Sequence, residues 1–121
     1  MCNFALFLFL SPYCGHCRDM SFTADSLYLY DSLDVQAVVD SQYVEDIQSW
    51  GFHFPVIKNV NMKEEWNIDV YPQMVCYFPE TTNAYVIAEG ATGGKEVKNN
   101  IAKAVYLEKL FRLSQKKEKV K

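Results

Sequence analysis

The chain has 121 residues, half of them hydrophobic and 15% aromatic. That is enough for one folded domain with its own core, and it excludes a disordered chain. The formal net charge is −3, with 12 Lys and Arg against 15 Asp and Glu, so no basic excess points to nucleic acid. The longest apolar run falls far short of the about 18 residues that a membrane span needs. Of the four cysteines, Cys2, Cys14, Cys17 and Cys76, Cys14 and Cys17 lie too close together for the long loops that a structural disulfide framework closes.

Phe4 to Leu10 is continuously apolar and reads as a buried strand covered on both faces. It has neither the basic leader nor the small-residue cleavage site of a signal peptide. Ser11-Pro12 ends the strand, and a helix is predicted from about Cys14 to Tyr30, with Cys17, Met20, Phe22, Ala24, Leu27 and Leu29 on its inner side. Asp34 to Asp40 is a second strand. A strand–helix–strand unit of this length predicts parallel pairing through a right-handed crossover.

Ser41 caps a predicted short helix that runs to about Trp50 and stops at Gly51. Residues 52–60, which include Pro55, read as irregular. Asn61 caps a second short helix, Met62 to Ile68. Tyr71-Pro72 then leads into a strand, Gln73 to Phe78. A turn and a further strand, Ala84 to Glu89, complete an antiparallel hairpin. After a loop at Gly90, Gly93 and Gly94, residues 95–115 read as a long amphipathic helix with Val97, Ile101, Ala104, Val105, Leu107, Leu110 and Phe111 on its apolar side. Lys116 to Lys121 reads as a frayed, solvated basic tail. The expectation is one α/β domain over residues 1–121, its central mixed sheet of four strands (β-α-β-α-β-β-α) flanked by helices.

Cys14-Gly15-His16-Cys17 carries the chemistry. The two thiols sit where a buried strand passes into a helix start. There, unpaired N–H groups and a partial positive charge of roughly +0.5 stabilise a thiolate and make it a usable nucleophile. A bond across two residues closes almost no loop, so it contributes little stability and suits a disulfide that is made and broken. Cys14, the more exposed, is the expected nucleophile; Cys17, one turn on and inside, is the expected resolving thiol. His16, as a cation or hydrogen-bond donor, favours the Cys14 thiolate over the disulfide and makes the protein a better oxidant. Gly15 tightens the turn and admits a client backbone. Cys76 reads as a packing residue within a strand and Cys2 as a terminal free thiol. With Cys2, Cys76, His16 and His53 scattered, no metal or cofactor is assigned.

An apolar strand, Cys-x-x-Cys at the next helix start and Tyr71-Pro72 before a hairpin together resemble the thioredoxin fold, over about residues 3–113. The resemblance implies that the Tyr71–Pro72 bond is cis and that Pro72 lies beside Cys14. It also implies that Tyr13, where thioredoxins place Trp, flanks the site, so that Tyr13, Tyr71 and Pro72 contact the client. Cys-Gly-His-Cys is also the motif of protein disulfide isomerases, which implies an oxidising or isomerising poise.

Within the superfamily, four features are similar to the TrbB-like, Dsb-related thiol:disulfide isomerases of conjugative transfer systems. They are Ser11-Pro12-Tyr13-Cys14 with Cys17, Val38-Val39-Asp40 with Phe54-Pro55, Tyr71-Pro72, and Glu89-Gly90. That likeness implies a periplasmic protein with cysteine-containing protein substrates and a thiol redox partner; its signal sequence is expected to be either removed or outside the residues of this chain. It leaves the oligomeric state open. One departure stands out. Many relatives carry an acidic residue in the first strand that takes the proton of the second cysteine, and residues 4–10 have none; water, Asp40 or Glu45 would have to serve. That departure leaves a second expectation, a binding module or chaperone of the same fold with little redox turnover.

Overall fold

The computed structural model describes residues 3–120, so the reading of Cys2 lies outside the described residues, as does Lys121. Five strands form one sheet: β1 (Ala5–Phe9), β2 (Val35–Val39), β3 (Val56–Lys58), β4 (Gln73–Phe78) and β5 (Asn83–Glu89). The helices are α1 (Cys17–Tyr30), α2 (Val44–Gln48), α3 (Met62–Glu65) and α4 (Gly94–Val120). The strand order is β3-β2-β1-β4-β5, with β1–β2 and β2–β3 parallel and β1–β4 and β4–β5 antiparallel.

β1 is central because its side chains are apolar on both faces, and strand alternation sends them to two cores. Leu6, Leu8 and Leu10 join Cys17, Met20, Ala24 and Leu27 of α1 and Val97, Ile101 and Ala104 of α4. Phe9 faces the other way, with Val38, Val75 and Ile68, and Phe7 and Trp66 close that side. Trp66 packs against Phe7, Phe9 and Tyr77 at centroid distances of 5.6, 5.9 and 5.3 Å. These four aromatic residues thus fill the second core and its rim. Each fully buried aliphatic side chain contributes about 1.5–3 kcal/mol.

Several details differ from the sequence expectations. The sheet has five strands rather than four, because Val56–Lys58 lies in the stretch read as irregular. It is three residues long and adds to the edge of β2: the Ala37 N–H donates to the Pro55 carbonyl and the Asn59 N–H to the Val39 carbonyl, both at 2.8 Å. Pro55 needs only its carbonyl for this, which is why proline is tolerated there. α1 starts at Cys17, not Cys14. Its buried side follows positions 17, 20, 24 and 27, and Phe22 (64% exposed) and Leu29 turn outward.

Neither Ser41 nor Asn61 caps a helix through its side chain; Asn61 takes a φ of +72° instead. α3 ends at Glu65 rather than Ile68. α4 runs on to Val120, so residues 116–120 of the expected tail carry helical backbone. Its inner side past Ala104 is the buried Glu108, while Leu107, Leu110 and Phe111 are exposed. Cys76 is fully buried opposite Leu6, as a packing residue should be.

Candidate active site

The Cys14-Gly15-His16-Cys17 motif occupies two consecutive turns that lead from β1 into the first residue of α1. The Cys14 N–H donates to the Ser11 carbonyl and the Cys17 N–H to the Cys14 carbonyl, each at 3.2 Å; the Met20 N–H then donates to the His16 carbonyl at 3.0 Å as the helix begins. The expected helix start at Cys14 is thus an open turn, made by the break at Ser11-Pro12. Cys14 stands at its lip, half-buried, and Cys17 is the first helical residue, fully buried; both are free thiols. Ser21, also buried, donates its hydroxyl to the Cys17 carbonyl at 2.8 Å and fixes the first turn.

Burial pushes the Cys17 thiol up to about 12, and its hydrogen bond to the Cys14 sulfur adds to the rise. The Ser11 N–H, which donates to the Cys17 sulfur at 3.5 Å, works in the other direction. No carboxylate is among these groups. Leu8 and Leu10, which share the apolar cluster of Cys17, are hydrocarbons. Asp40 instead lies 3.8 Å from the Lys63 ammonium, and Glu45 is exposed in the first turn of α2.

The remaining predicted residues surround this lip. Tyr13 is 83% exposed, its ring set edge-on against Tyr43 at 5.5 Å. The His16 ring is exposed, with Nδ1 4.0 Å from an Asp19 carboxylate oxygen. Gly15 is outside the left-handed region, and a Cβ on it would meet nothing within 4 Å. The turn itself therefore does not demand glycine, contrary to the expectation that Gly15 tightens it. The Tyr71–Pro72 bond is cis. β4 starts at Gln73, opposite Phe9 at the end of β1, so Pro72 lies at the sheet end from which the cysteine loop leaves. The Pro72 carbonyl accepts the Gly90 N–H at 2.8 Å, and Gly90 has a φ of +76°, a conformation that glycine adopts without strain.

Three further residues stand outside the sequence expectations. Lys63 holds its ammonium 5.1 Å from the centre of the Tyr71 ring. Arg18, next to Cys17, places its guanidinium 5.4 Å from the Trp50 ring centre. Asp25 of α1, nearly buried, accepts the His53 and Phe54 N–H groups at 2.7 and 3.2 Å and meets His53 Nδ1 at 2.8 Å, which fastens the approach to β3. Only Asp25, a carboxylate on an otherwise apolar helix side, left a sequence signal. Among the described residues, no three His, Cys, Asp or Glu side chains gather to hold a metal ion. No helix among them is long and apolar enough to cross a membrane.

A central mixed sheet, a cysteine pair opening the helix after β1 and a cis-proline before β4 together make this a thioredoxin fold. Solved structures agree. StoA from Bacillus subtilis matches with 18% identity and a TM-score of 0.66, over 82% of each chain. The exposed lipoprotein thioredoxin Etrx1 from Streptococcus pneumoniae gives 15% identity and 0.69, over 84% of each. A secreted Mycobacterium tuberculosis disulfide oxidoreductase, described as homologous to Escherichia coli DsbE, gives 16% identity and 0.65, over 83% of this chain and 81% of that one. The chain belongs to the family of the F plasmid transfer operon protein TraF, whose family model matches residues 2–102. No curated protein matches it.

Proposed function

We propose that the protein is a thiol:disulfide oxidoreductase that exchanges disulfides with cysteine-containing protein clients through Cys14 and Cys17. The observation that carries this reading is the asymmetry of the pair: Cys14 half-buried at a turn, Cys17 fully buried, hydrogen-bonded to it and held protonated. A thiolate at Cys14 attacks one sulfur of a client disulfide; the Cys14–client bond forms and the other client sulfur leaves as a thiolate, which takes up a proton. Cys17 then attacks the Cys14 sulfur, giving up its proton to the departing client sulfur. The client gains two electrons and two thiols, and the protein gains the Cys14–Cys17 disulfide. Run backwards, the same steps oxidise a client; stopped at the mixed disulfide, they let a client thiol rearrange its own bonds.

The isomerising or oxidising direction rests on His16, whose exposed ring is available to favour the Cys14 thiolate over the disulfide. Tyr13, Tyr71 and Pro72 form the client contact in this reading, and Gly15 keeps the lip low for its backbone. The family of the F plasmid transfer operon protein supports a periplasmic setting in a conjugative apparatus, with a thiol redox partner that resets the pair. Insulin reduction and scrambled-ribonuclease refolding, wild type against Cys14→Ser, test the proposal. Activity should vanish in the variant, and equal activity would overturn the enzymatic reading.

A further inference from the structure

The second half of α4 is built inside out. Past Ala104 the one fully buried residue among those described is Glu108, while Tyr106, Leu107, Leu110, Phe111 and Leu113 are 62, 49, 45, 37 and 56% exposed. Positions 106, 110 and 113 follow i, i+4, i+7, and 107 and 111 run alongside, so these side chains make one apolar stripe over about 10 Å of helix axis. Glu108 accepts hydrogen bonds from Thr81, Asn83, Tyr85 and Arg112, and Arg112 also reaches Glu80 at 2.9 Å. These polar bonds clamp the opposite side of the helix to the β4–β5 turn and leave the stripe facing outward.

Charge is segregated along the same line. Residues 94–121 hold nine of the 12 Lys and Arg and three of the 15 Asp and Glu, a net +6, whereas residues 1–93 carry −9. Lys103, Lys109 and Lys116 are exposed around the stripe. Exposed apolar side chains on a lysine-rich helix too short in hydrocarbon to span a bilayer are the features of a helix that lies in a lipid–water interface. Pairing with the same helix of a second copy would bring two +6 segments together, so charge disfavours that occupant.

We propose that the Tyr106–Lys116 face of α4 docks on a bilayer of anionic phospholipid, with the aromatic and leucine side chains seated among the acyl chains and the lysines on the headgroups. The β4–β5 turn lies at the opposite end of β4 from Gln73 and the cysteine loop. Docking therefore holds the half-buried Cys14 away from the lipid and open to clients. It does not depend on the redox chemistry.

Sedimentation of the full chain with vesicles tests this, using phosphatidylcholine alone and phosphatidylcholine mixed with phosphatidylglycerol. The protein should pellet with the mixed vesicles and not with the neutral ones. Binding should fall at least about tenfold from roughly 0.1 M to 1 M salt, as the screening length shrinks from about 10 to about 3 Å. The double variants Leu110→Ser with Leu113→Ser, and Lys109→Glu with Lys116→Glu, should each lose about tenfold or more, while circular dichroism and insulin reduction stay at wild-type levels. Failure to bind the mixed vesicles overturns the proposal. So does equal binding by wild type and both variants, or a dimer that the serine variant abolishes without any vesicle binding.

Discussion

Cys17 offers the sharpest quantitative test. Its thiol is pushed from an ordinary 9.0 up to about 12, first by burial and then by the hydrogen bond with Cys14. Each unit is a factor of ten in thiolate fraction, so three units leave about a thousandfold less thiolate at neutral pH than an ordinary thiol carries. Native protein should therefore take iodoacetamide at Cys14 and leave Cys17 unlabelled, and peptide mass spectrometry over a pH series reads both rates in one sample. In Cys14→Ser the contributions from Cys14 go but burial stays. Cys17 should then label faster than in wild type, yet still at least about tenfold more slowly than in denaturant. If Cys17 labels in the native protein as fast as Cys14, or as fast as in denaturant, then the assignment of nucleophile and resolving thiol is wrong.

Other outcomes follow from the same structure. Cys17 and Cys76 are both held protonated to about 12, so the stability that their buried thiols supply is complete below about pH 9 and is lost as pH rises toward 12. Chemical denaturation should show that loss, and Cys76→Ala should remove part of its slope. Burial pushes the Glu108 carboxyl up, but hydrogen bonds from Thr81, Asn83, Arg112 and Tyr85 outweigh it and hold the group below its ordinary 4.5. Stability from Glu108 is thus present above that value and lost as pH falls through the lower folded value. Glu108→Ala should cost about 1–3 kcal/mol at pH 7, because Thr81, Asn83 and Tyr85 lose their buried acceptor while Arg112 keeps Glu80, and Glu108→Gln should flatten the acid limb of the denaturation profile. Asp25→Ala should cost roughly 1–3 kcal/mol by unpairing the His53 and Phe54 N–H groups, and hydrogen exchange should speed up most along Val56–Lys58. His16→Pro should make the disulfide harder to reduce; an unchanged reduction potential against glutathione would remove His16 from the account.

Much of this protein is local and therefore readable from its order of residues. An unbroken apolar run of strand length suits a doubly covered strand, a two-residue gap between cysteines suits a short-range bond, and a hairpin needs little more than its turn. The sheet neighbours β1, β2, β4 and β5 follow from those patterns. What tertiary structure decided depends on partners far along the chain. Val56–Lys58 carries too little pattern to announce a strand and becomes one only because β2 presents a free edge. Glu108 turns inward because Thr81, Asn83 and Tyr85, more than 20 residues away, offer it four hydrogen-bonding partners together with Arg112. The leucines beside it are displaced outward, against their own hydropathy. The sequence alone marked the two thiols, but the depth of Cys17, the Ser11 N–H on its sulfur and the absence of a carboxylate around it among the described residues follow from how β1 and α1 pack.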